Sequence, residues 1–175
     1  MSDPPSLTVG TDSTVVVVGA DEQSEVDIDV DRWCRLATAT LRDAGRTGEL
    51  TLTFVDRAEI AELNEQHLGE AGQTDVLSFP LDAASSATLA DGVPVLLGDV
   101  VICPAVARDQ APAHAGTLDD ELALLVVHGV LHVLGHDHAT EGETHEMQTR
   151  ERELLERHHW GGPTPPGFRQ EHAEN

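Results

Sequence analysis

The sequence feature that most constrains the fold is a largely apolar segment over residues 118–134 with helix signals at both ends. Thr117 precedes the segment and Asp120 follows three positions later, which is the spacing of a capping box. Gly135 comes directly after the segment, at the place where a glycine commonly ends a helix. We therefore predict a helix that begins after Thr117 and stops before Gly135.

Two histidines lie near the end of this helix and two more follow the glycine, in the run HGVLHVLGHDH. His128 and His132 are one helical turn apart on the same face, so both imidazoles can bind one ion. A third ligand has to come from outside the helix, because the next turn lies too far along the axis. Gly135 allows the chain to fold back, and we favour His138 over His136 because the longer return span reaches the first pair more easily.

Three histidine ligands with an open fourth position are typical of a catalytic zinc site. The sequence thus predicts one zinc ion per chain, and Asp137 could orient one of the ligands. Zinc peptidases of the HExxH type carry a Glu directly after the first histidine, where this chain has Gly129. We expect Gly129 to serve close packing or to leave room for a bulky substrate.

The other six histidines show no comparable spacing, and we predict that they are surface residues: His67, His114, His145, His158, His159 and His172. The two cysteines, Cys34 and Cys103, are too few for a disulfide framework or a cysteine-rich metal site. We expect them to be small core residues in a reducing compartment.

Hydrophobic periodicity and cap residues divide the rest of the chain into further elements. Strands are predicted at 15–18, 50–55, 76–79 and 93–103, the last buried on both faces. Helices are predicted at 31–44, at 57–67 after an Asp56 cap, from Pro104 onwards, and from a Thr140/Glu143 capping box to about 157. Because strands come early and helices late, the predicted class is α+β.

The length of 175 residues suits a single domain, which we place at 14–159. Residues 1–13 are rich in Ser, Pro, Thr and Asp, and residues 160–175 are rich in Pro and Gly. We therefore expect a flexible leader and a flexible tail at these two ends. The sequence shows no secretory signal and no bilayer-spanning run, so we expect a cytoplasmic protein.

The net charge of −22 disfavours a polyanionic partner, because nucleic-acid binding normally requires a basic surface. All ten basic residues are Arg. A nucleic-acid site in this chain would need local positive charge, from Arg or from a bound metal.

The histidine run resembles the HGxLHLxGxDH motif of the YbeY family, and two further segments agree with that family in the same order. They are TDVLSFPLD at 74–82 and LGDVVIC at 97–103. Met147 stands where the family usually has a Met beneath the metal. The resemblance spans roughly residues 50–155.

This resemblance implies a zinc-dependent endoribonuclease with His128, His132 and His138 as the zinc ligands. It implies an α+β fold with a small, mostly parallel sheet, one antiparallel edge strand and about five packed helices, and a zinc site on a late helix and the turn after it. The implied activity is cleavage of single-stranded RNA, in maturation of the 3′ end of small-subunit (16S) rRNA and in ribosome quality control. The implied partners are the rRNA precursor and the ribosome or small-subunit proteins.

The chain departs from the family at Leu68, where many members carry an Arg thought to contact RNA, so no RNA-binding Arg is transferred. Four arginines share one face of the first predicted helix and offer an alternative phosphate-binding stripe: Arg32, Arg35, Arg42 and Arg46. The general base and the attacking nucleophile are not identified by the sequence.

Two other functions compete with RNA cleavage. The zinc spacing and the following Met resemble those of metzincin peptidases, although Gly129 replaces the peptidase base. A non-catalytic zinc-binding ribosome assembly factor is the other alternative, with zinc that only fixes a docking surface. The histidine spacing alone does not choose between these functions.

Overall fold

The computed structural model describes residues 7–9, 15–69, 74–81, 95–136 and 139–170. These residues form an α+β fold, as predicted. The strands are β1 (Leu7–Val9), β2 (Val15–Asp21), β3 (Gly48–Phe54), β4 (Val76–Pro80) and β5 (Leu96–Ile102). The α-helices are α1 (Val30–Asp43), α2 (Arg57–Leu68), α3 (Pro104–Gln110), α4 (Leu118–Val133) and α5 (Glu141–Leu155), and α5 continues into a π-helical turn, Glu156–Trp160.

All five strands belong to one sheet with the order β1-β2-β3-β5-β4. The three central strands, β2, β3 and β5, are parallel, and β4 runs antiparallel to β5 at one edge. The predicted mostly parallel sheet with an antiparallel edge strand is therefore confirmed. The short strand β1 adds a second antiparallel pair at the opposite edge, which the sequence did not predict.

Strand β5 is buried on both faces of the sheet, as its continuous apolar sequence predicts. Val100 and Ile102 point into the larger core, whereas Val101 and Cys103 point into a smaller core on the other face. Helices α1 and α4 pack against each other and against the sheet on the side of the larger core. The helix predicted to carry the metal ligands thus rests on β4 and β5.

The predicted cap residues begin the helices. Asp56 caps α2 and Thr117 caps α4, and Thr140 and Glu143 form the complete capping box of α5. Asp120, the second residue of the capping box predicted for α4, has other partners. Its carboxylate accepts hydrogen bonds from the Trp160 indole N–H and from the His159 ring.

Two stretches predicted to be flexible contain ordered structure. Within the predicted leader, residues 7–9 pair with β2. Within the predicted tail, the rings of Trp160 and Phe168 pack edge to face, and Gln170 is only 6% exposed. Within the described residues, packed side chains therefore continue past position 159, where the domain was predicted to end, to Gln170.

Candidate metal centre

Helix α4 brings two of the three predicted ligands together. The ring centroids of His128 and His132 are 4.7 Å apart, with an angle of 74° between the ring planes. His128 is buried and His132 is half-buried. The spacing of one helical turn thus places the two imidazoles side by side on α4, and their binding of one ion stays a prediction.

The chain leaves α4 through the glycine turn that the sequence predicts. Gly135 has φ +104° and donates a backbone hydrogen bond to the carbonyl of His132. His136 donates to the carbonyl of Leu131, which completes a Schellman motif. A side chain with a Cβ rarely adopts this φ, so the glycine allows the chain to reverse direction just after the two histidines.

The third predicted ligand, His138, and the neighbouring Asp137 lie outside the described residues. Within the described part of the chain, no cluster of three or more metal-ligating side chains is found. The roles of His138 and Asp137 stay predictions. His136, the alternative ligand, is exposed.

A buried carboxylate stands behind His128. Glu151 of α5 is 2% exposed, and its Oε2 lies 2.6 Å from Nδ1 of His128. A carboxylate only accepts hydrogen bonds, so the ring proton lies on Nδ1 and a metal would bind through Nε2. Metal-binding histidines usually have such a carboxylate or carbonyl partner, so the donor set fits a metal ion.

Sequence reasoning did not find Glu151. The available signal was its spacing from Met147, because residues four apart share one face of a helix. Met147 is buried in the larger core, which makes this face of α5 the inner one. The sequence had suggested Asp137 as the orienting carboxylate, whereas for His128 the structure assigns that contact to Glu151.

Gly129 lets α4 lie close to the sheet, which confirms the packing interpretation. A Cβ at this position would be 2.6 Å from Cγ1 of Val100 and 3.4 Å from Oγ of Ser78. The Ser78 hydroxyl donates a hydrogen bond to the carbonyl of Gly129. A glutamate at position 129 would collide with β5, so this backbone does not accommodate the peptidase base.

The two segments that support the resemblance contain strands β4 and β5, on which α4 packs. Ser78 belongs to TDVLSFPLD and contacts the helix next to His128. Gly98 belongs to LGDVVIC and has φ +154°, and a Cβ there would meet the Phe79 carbonyl at 2.6 Å and Val133 at 3.1 Å. These segments thus hold β4, β5 and α4 in close contact.

A second buried polar cluster lies at the other end of α4. The Glu121 side chain is fully buried and accepts hydrogen bonds from Gln110 Nε2 and the Ala115 backbone, and it pairs with His114 Nδ1 at 2.9 Å. Gln110 also bonds Asp75 at the start of the TDVLSFPLD segment. This cluster ties the beginning of α4 to β4, on which the other end of the helix also rests.

The prediction that the other six histidines are surface residues is wrong for two of the five that the structure describes, and the sixth, His172, lies outside the described residues. The side chain of His114 is 12% exposed and that of His159 is 5% exposed. Each of these rings pairs with a carboxylate in the first turn of α4. His114 pairs with Glu121, and His159 pairs with Asp120.

Both cysteines are fully buried in the core, as predicted. Burial, with a smaller contribution from Asp31, raises the pKa of the Cys34 thiol to about 11. Burial also raises the pKa of Cys103. Because a metal binds the thiolate, these protonated and enclosed thiols are poor ligands near neutral pH.

The predicted arginine stripe lies only partly on α1, because the helix ends at Asp43 and Arg46 comes after it. The arginines that do lie on α1 are only partly available to a ligand. Arg32 forms an ion pair with Asp119 at 3.0 Å, and its guanidinium lies over the ring of Trp33. Arg35 and Arg42 are exposed. A phosphate-binding role for the stripe stays a prediction. Leu68, where many family members carry an Arg, is the last residue of α2.

Comparison with known proteins identifies the family. The family model described as "Endoribonuclease YbeY" matches residues 19–159. The chain is 47% identical to the endoribonuclease YbeY of Acidothermus cellulolyticus over 142 residues, which cover 76% of this chain and 85% of that protein. It is 42% identical to the endoribonuclease YbeY of Salinispora tropica over 141 residues, with 76% of this chain and 90% of that protein covered.

A solved structure supports the fold. The solution structure of the protein TM1509 from Thermotoga maritima superposes with a TM-score of 0.54 at 20% identity, covering 91% of this chain and 99% of that one. None of the described helices has both the length and the apolar character needed to cross a bilayer. From the family match and the two close relatives, this chain belongs to the endoribonuclease YbeY family.

Proposed function

We propose that this protein is an endoribonuclease that holds one zinc ion through His128, His132 and His138 and cleaves single-stranded RNA. The observation that carries the proposal is the pair of adjacent imidazoles on α4, one of them hydrogen-bonded to the buried carboxylate of Glu151. When bound, the metal would polarise a phosphate oxygen and activate the attacking group, a water molecule or the ribose 2′-hydroxyl. Family membership supports RNA as the substrate.

The described side chains contribute orientation and shape to this site. Glu151 keeps the ring proton of His128 on Nδ1 and directs Nε2 outward from α5. Gly129 and Ser78 fix the height of α4 above the sheet, and so the position of both rings. These contacts hold the ligands in place before a metal binds, which is the requirement for a preorganised site.

The cellular role follows from the family. We propose that the RNA is the precursor of small-subunit rRNA at its 3′ end, and that the protein also acts in ribosome quality control. Its partners would be the ribosome or small-subunit proteins, in the cytoplasm. The peptidase alternative is disfavoured by the steric conflict at Gly129, and a purely structural zinc factor is disfavoured by the match to endoribonucleases.

The test is metal analysis of the full chain combined with cleavage of an end-labelled single-stranded RNA. We expect wild type to hold about one zinc ion per chain and to cleave single strands much faster than the same sequence in a duplex. His132→Ala should lose both the metal and at least about 100-fold in activity, since removing one of three ligands opens the site. His145→Ala, an exposed histidine of α5, is the matched control and should behave as wild type.

Two outcomes would overturn the proposal. One is a folded wild-type protein that binds no metal at saturating zinc. The other is a His132→Ala protein, purified in the same way, that cleaves RNA at the wild-type rate. Cleavage of a generic peptide by wild type and not by His132→Ala would restore the peptidase alternative.

A further inference from the structure

The segment that follows the π-helical turn folds back over α5 and reaches His114, which precedes α4. We call residues 161–170 the C-terminal strap. The backbone N–H and the hydroxyl of Thr164 both donate to Oε2 of Glu156, at 3.0 Å and 2.6 Å. Phe168 packs edge to face on Trp160, and the backbone N–H of Arg169 donates to the carbonyl of His114 at 3.0 Å. The strap is thus attached along its length before it reaches Gln170.

Gln170 ends the strap inside the protein, at 6% exposure. Its Nε2 donates to Oε1 of Glu151 and to the carbonyl of Gln148, both at 2.9 Å. Its Oε1 accepts a hydrogen bond of 2.6 Å from Nη1 of Arg152. The amide has one orientation that satisfies all three contacts, because a flipped amide would turn its oxygen towards a carboxylate and its N–H groups towards a guanidinium.

The two oxygens of Glu151 are therefore held by two different parts of the chain. Oε2 contacts Nδ1 of His128, and Oε1 accepts from Gln170. A carboxylate held at both oxygens has a fixed plane, and the ring that donates to it then has a fixed plane and tautomer. The path His128–Glu151–Gln170–Arg152 connects the candidate metal centre with the end of the described chain.

We propose that Gln170 is a positioning residue of the metal centre, which acts by fixing the Glu151 carboxylate and through it the tautomer and orientation of His128. The effect on metal binding rests on the proposed function, whereas the effect on the His128 ring does not. The family match ends at residue 159, so this role belongs to a segment that the match does not cover. On this proposal, the C-terminal strap contributes a positioning residue to the metal centre.

The first experiment measures the ring nitrogen chemical shifts of His128 in metal-free, full-length protein. Wild type should show a single tautomer with the proton on Nδ1. Gln170→Leu roughly keeps the size of the side chain but removes the donor to Glu151 Oε1. The released carboxylate can then turn away from Nδ1 of His128, so this variant should show a mixture of the two neutral tautomers. Thr164→Val, which loosens the strap without touching Gln170, is the matched control and should keep the wild-type tautomer.

The second experiment measures zinc affinity of the same three proteins by competition with a chromophoric chelator. Gln170→Leu should bind zinc about 10-fold more weakly, at the lower end of the effect seen when a partner of a metal ligand is removed. Thr164→Val should stay within about twofold of wild type, because it leaves the Glu151 contacts in place. If Gln170→Leu does not fold, Gln170→Asn is judged by the same criteria, because its amide is one methylene too short to reach Glu151.

A folded Gln170 variant with a single Nδ1–H tautomer and wild-type zinc affinity would overturn the role of Gln170. Failure of the proposed function looks different, since wild type would then bind no zinc or cleave no RNA. In that case the tautomer comparison, which needs no metal, still decides whether Gln170 fixes the His128 ring.

Discussion

Glu151 and His128 form a hydrogen-bonded pair inside the protein, at 2.6 Å between Oε2 and Nδ1. Burial of a carboxylate is costly unless its oxygens find donors, and here the donors are a candidate metal ligand and the amide of Gln170. A carboxylate in this arrangement fixes the orientation and the tautomer of the imidazole. The metal affinity of the centre should therefore depend on a residue that never touches the metal.

We predict that Glu151→Gln weakens zinc binding by about 10- to 100-fold, the usual effect of losing the partner of a metal ligand. The substitution keeps the size of the side chain and one acceptor oxygen but removes the negative charge. Chelator competition measures the affinity, and Glu146→Gln, an exposed neighbour on the same helix, is the control. Equal affinities for the two variants would show that the Glu151 charge does not support the site.

Local spacing was sufficient to predict the His128–His132 pair, because residues one turn apart on a helix share a face. It was insufficient for Glu151, which reaches His128 across the packing of α5 on α4. Gln170 gave no signal at all, since a segment rich in Pro and Gly is usually mobile and its contacts with α5 arise only in the folded chain. His114 and His159 were misjudged for the same reason, as their carboxylate partners lie 7 and 39 residues away.

At the scale of elements, the position of α4 over β5 depends on the missing side chain at Gly129. Glycine within a helix costs about 1 kcal/mol relative to alanine. A Cβ placed 2.6 Å from Cγ1 of Val100 would overpack the interface, and overpacking typically costs about 1–3 kcal/mol. The steric term is the larger, so the glycine is favoured here despite its low helix propensity.

We predict that Gly129→Ala lowers the free energy of unfolding of the metal-free protein by up to about 2 kcal/mol, as measured by urea denaturation. Gly142→Ala is the matched control. Gly142 also lies in a helix, but nothing stands within 4 Å of its would-be Cβ, and the substitution should be neutral or slightly stabilising.

A double-mutant cycle identifies the cause of the Gly129→Ala effect. Val100→Ala removes both methyl groups that the new Cβ would meet. The two substitutions together should therefore cost less than the sum of their separate effects. An additive cycle would show that the contact with Val100 is not what makes glycine necessary.

Element boundaries were predictable wherever they depend on neighbouring residues. Helices begin after Asp56, Thr117 and Thr140 as predicted, because each side chain satisfies a backbone N–H within the first turn. Helix α3 begins at Pro104, whose fixed φ suits the first helical position and whose missing N–H is not needed there. The Asp120 carboxylate instead contacts Trp160 and His159, from a segment far along the chain. Strand β1 was missed because a three-residue strand is defined by its pairing with β2 rather than by its own sequence.

At the scale of the whole molecule, the charge of −22 opposes the approach of RNA. Several of the ten arginines are held in ion pairs with acidic groups, among them Arg32 with Asp119, Arg57 with Asp109 and Arg157 with Asp43. These pairs neutralise positive charge that could otherwise attract phosphates. Positive charge at the candidate metal centre would then come mainly from the bound metal. The attraction of this single ion acts over a shorter range than the negative field of the whole protein.

We therefore predict that kcat/KM for a long single-stranded RNA rises as KCl increases from about 20 mM to about 150 mM, where the Debye length falls to about 8 Å and screens the repulsion. The rise should be up to about tenfold, the lower end of electrostatic effects on association rates. A dinucleotide substrate, which carries little charge, is the internal control and should show almost no salt dependence. A basic nuclease shows the opposite trend, because it releases counterions from RNA when it binds. A fall in kcat/KM with salt would contradict the prediction and would point to the exposed Arg35 and Arg42 of α1 as an RNA-binding surface.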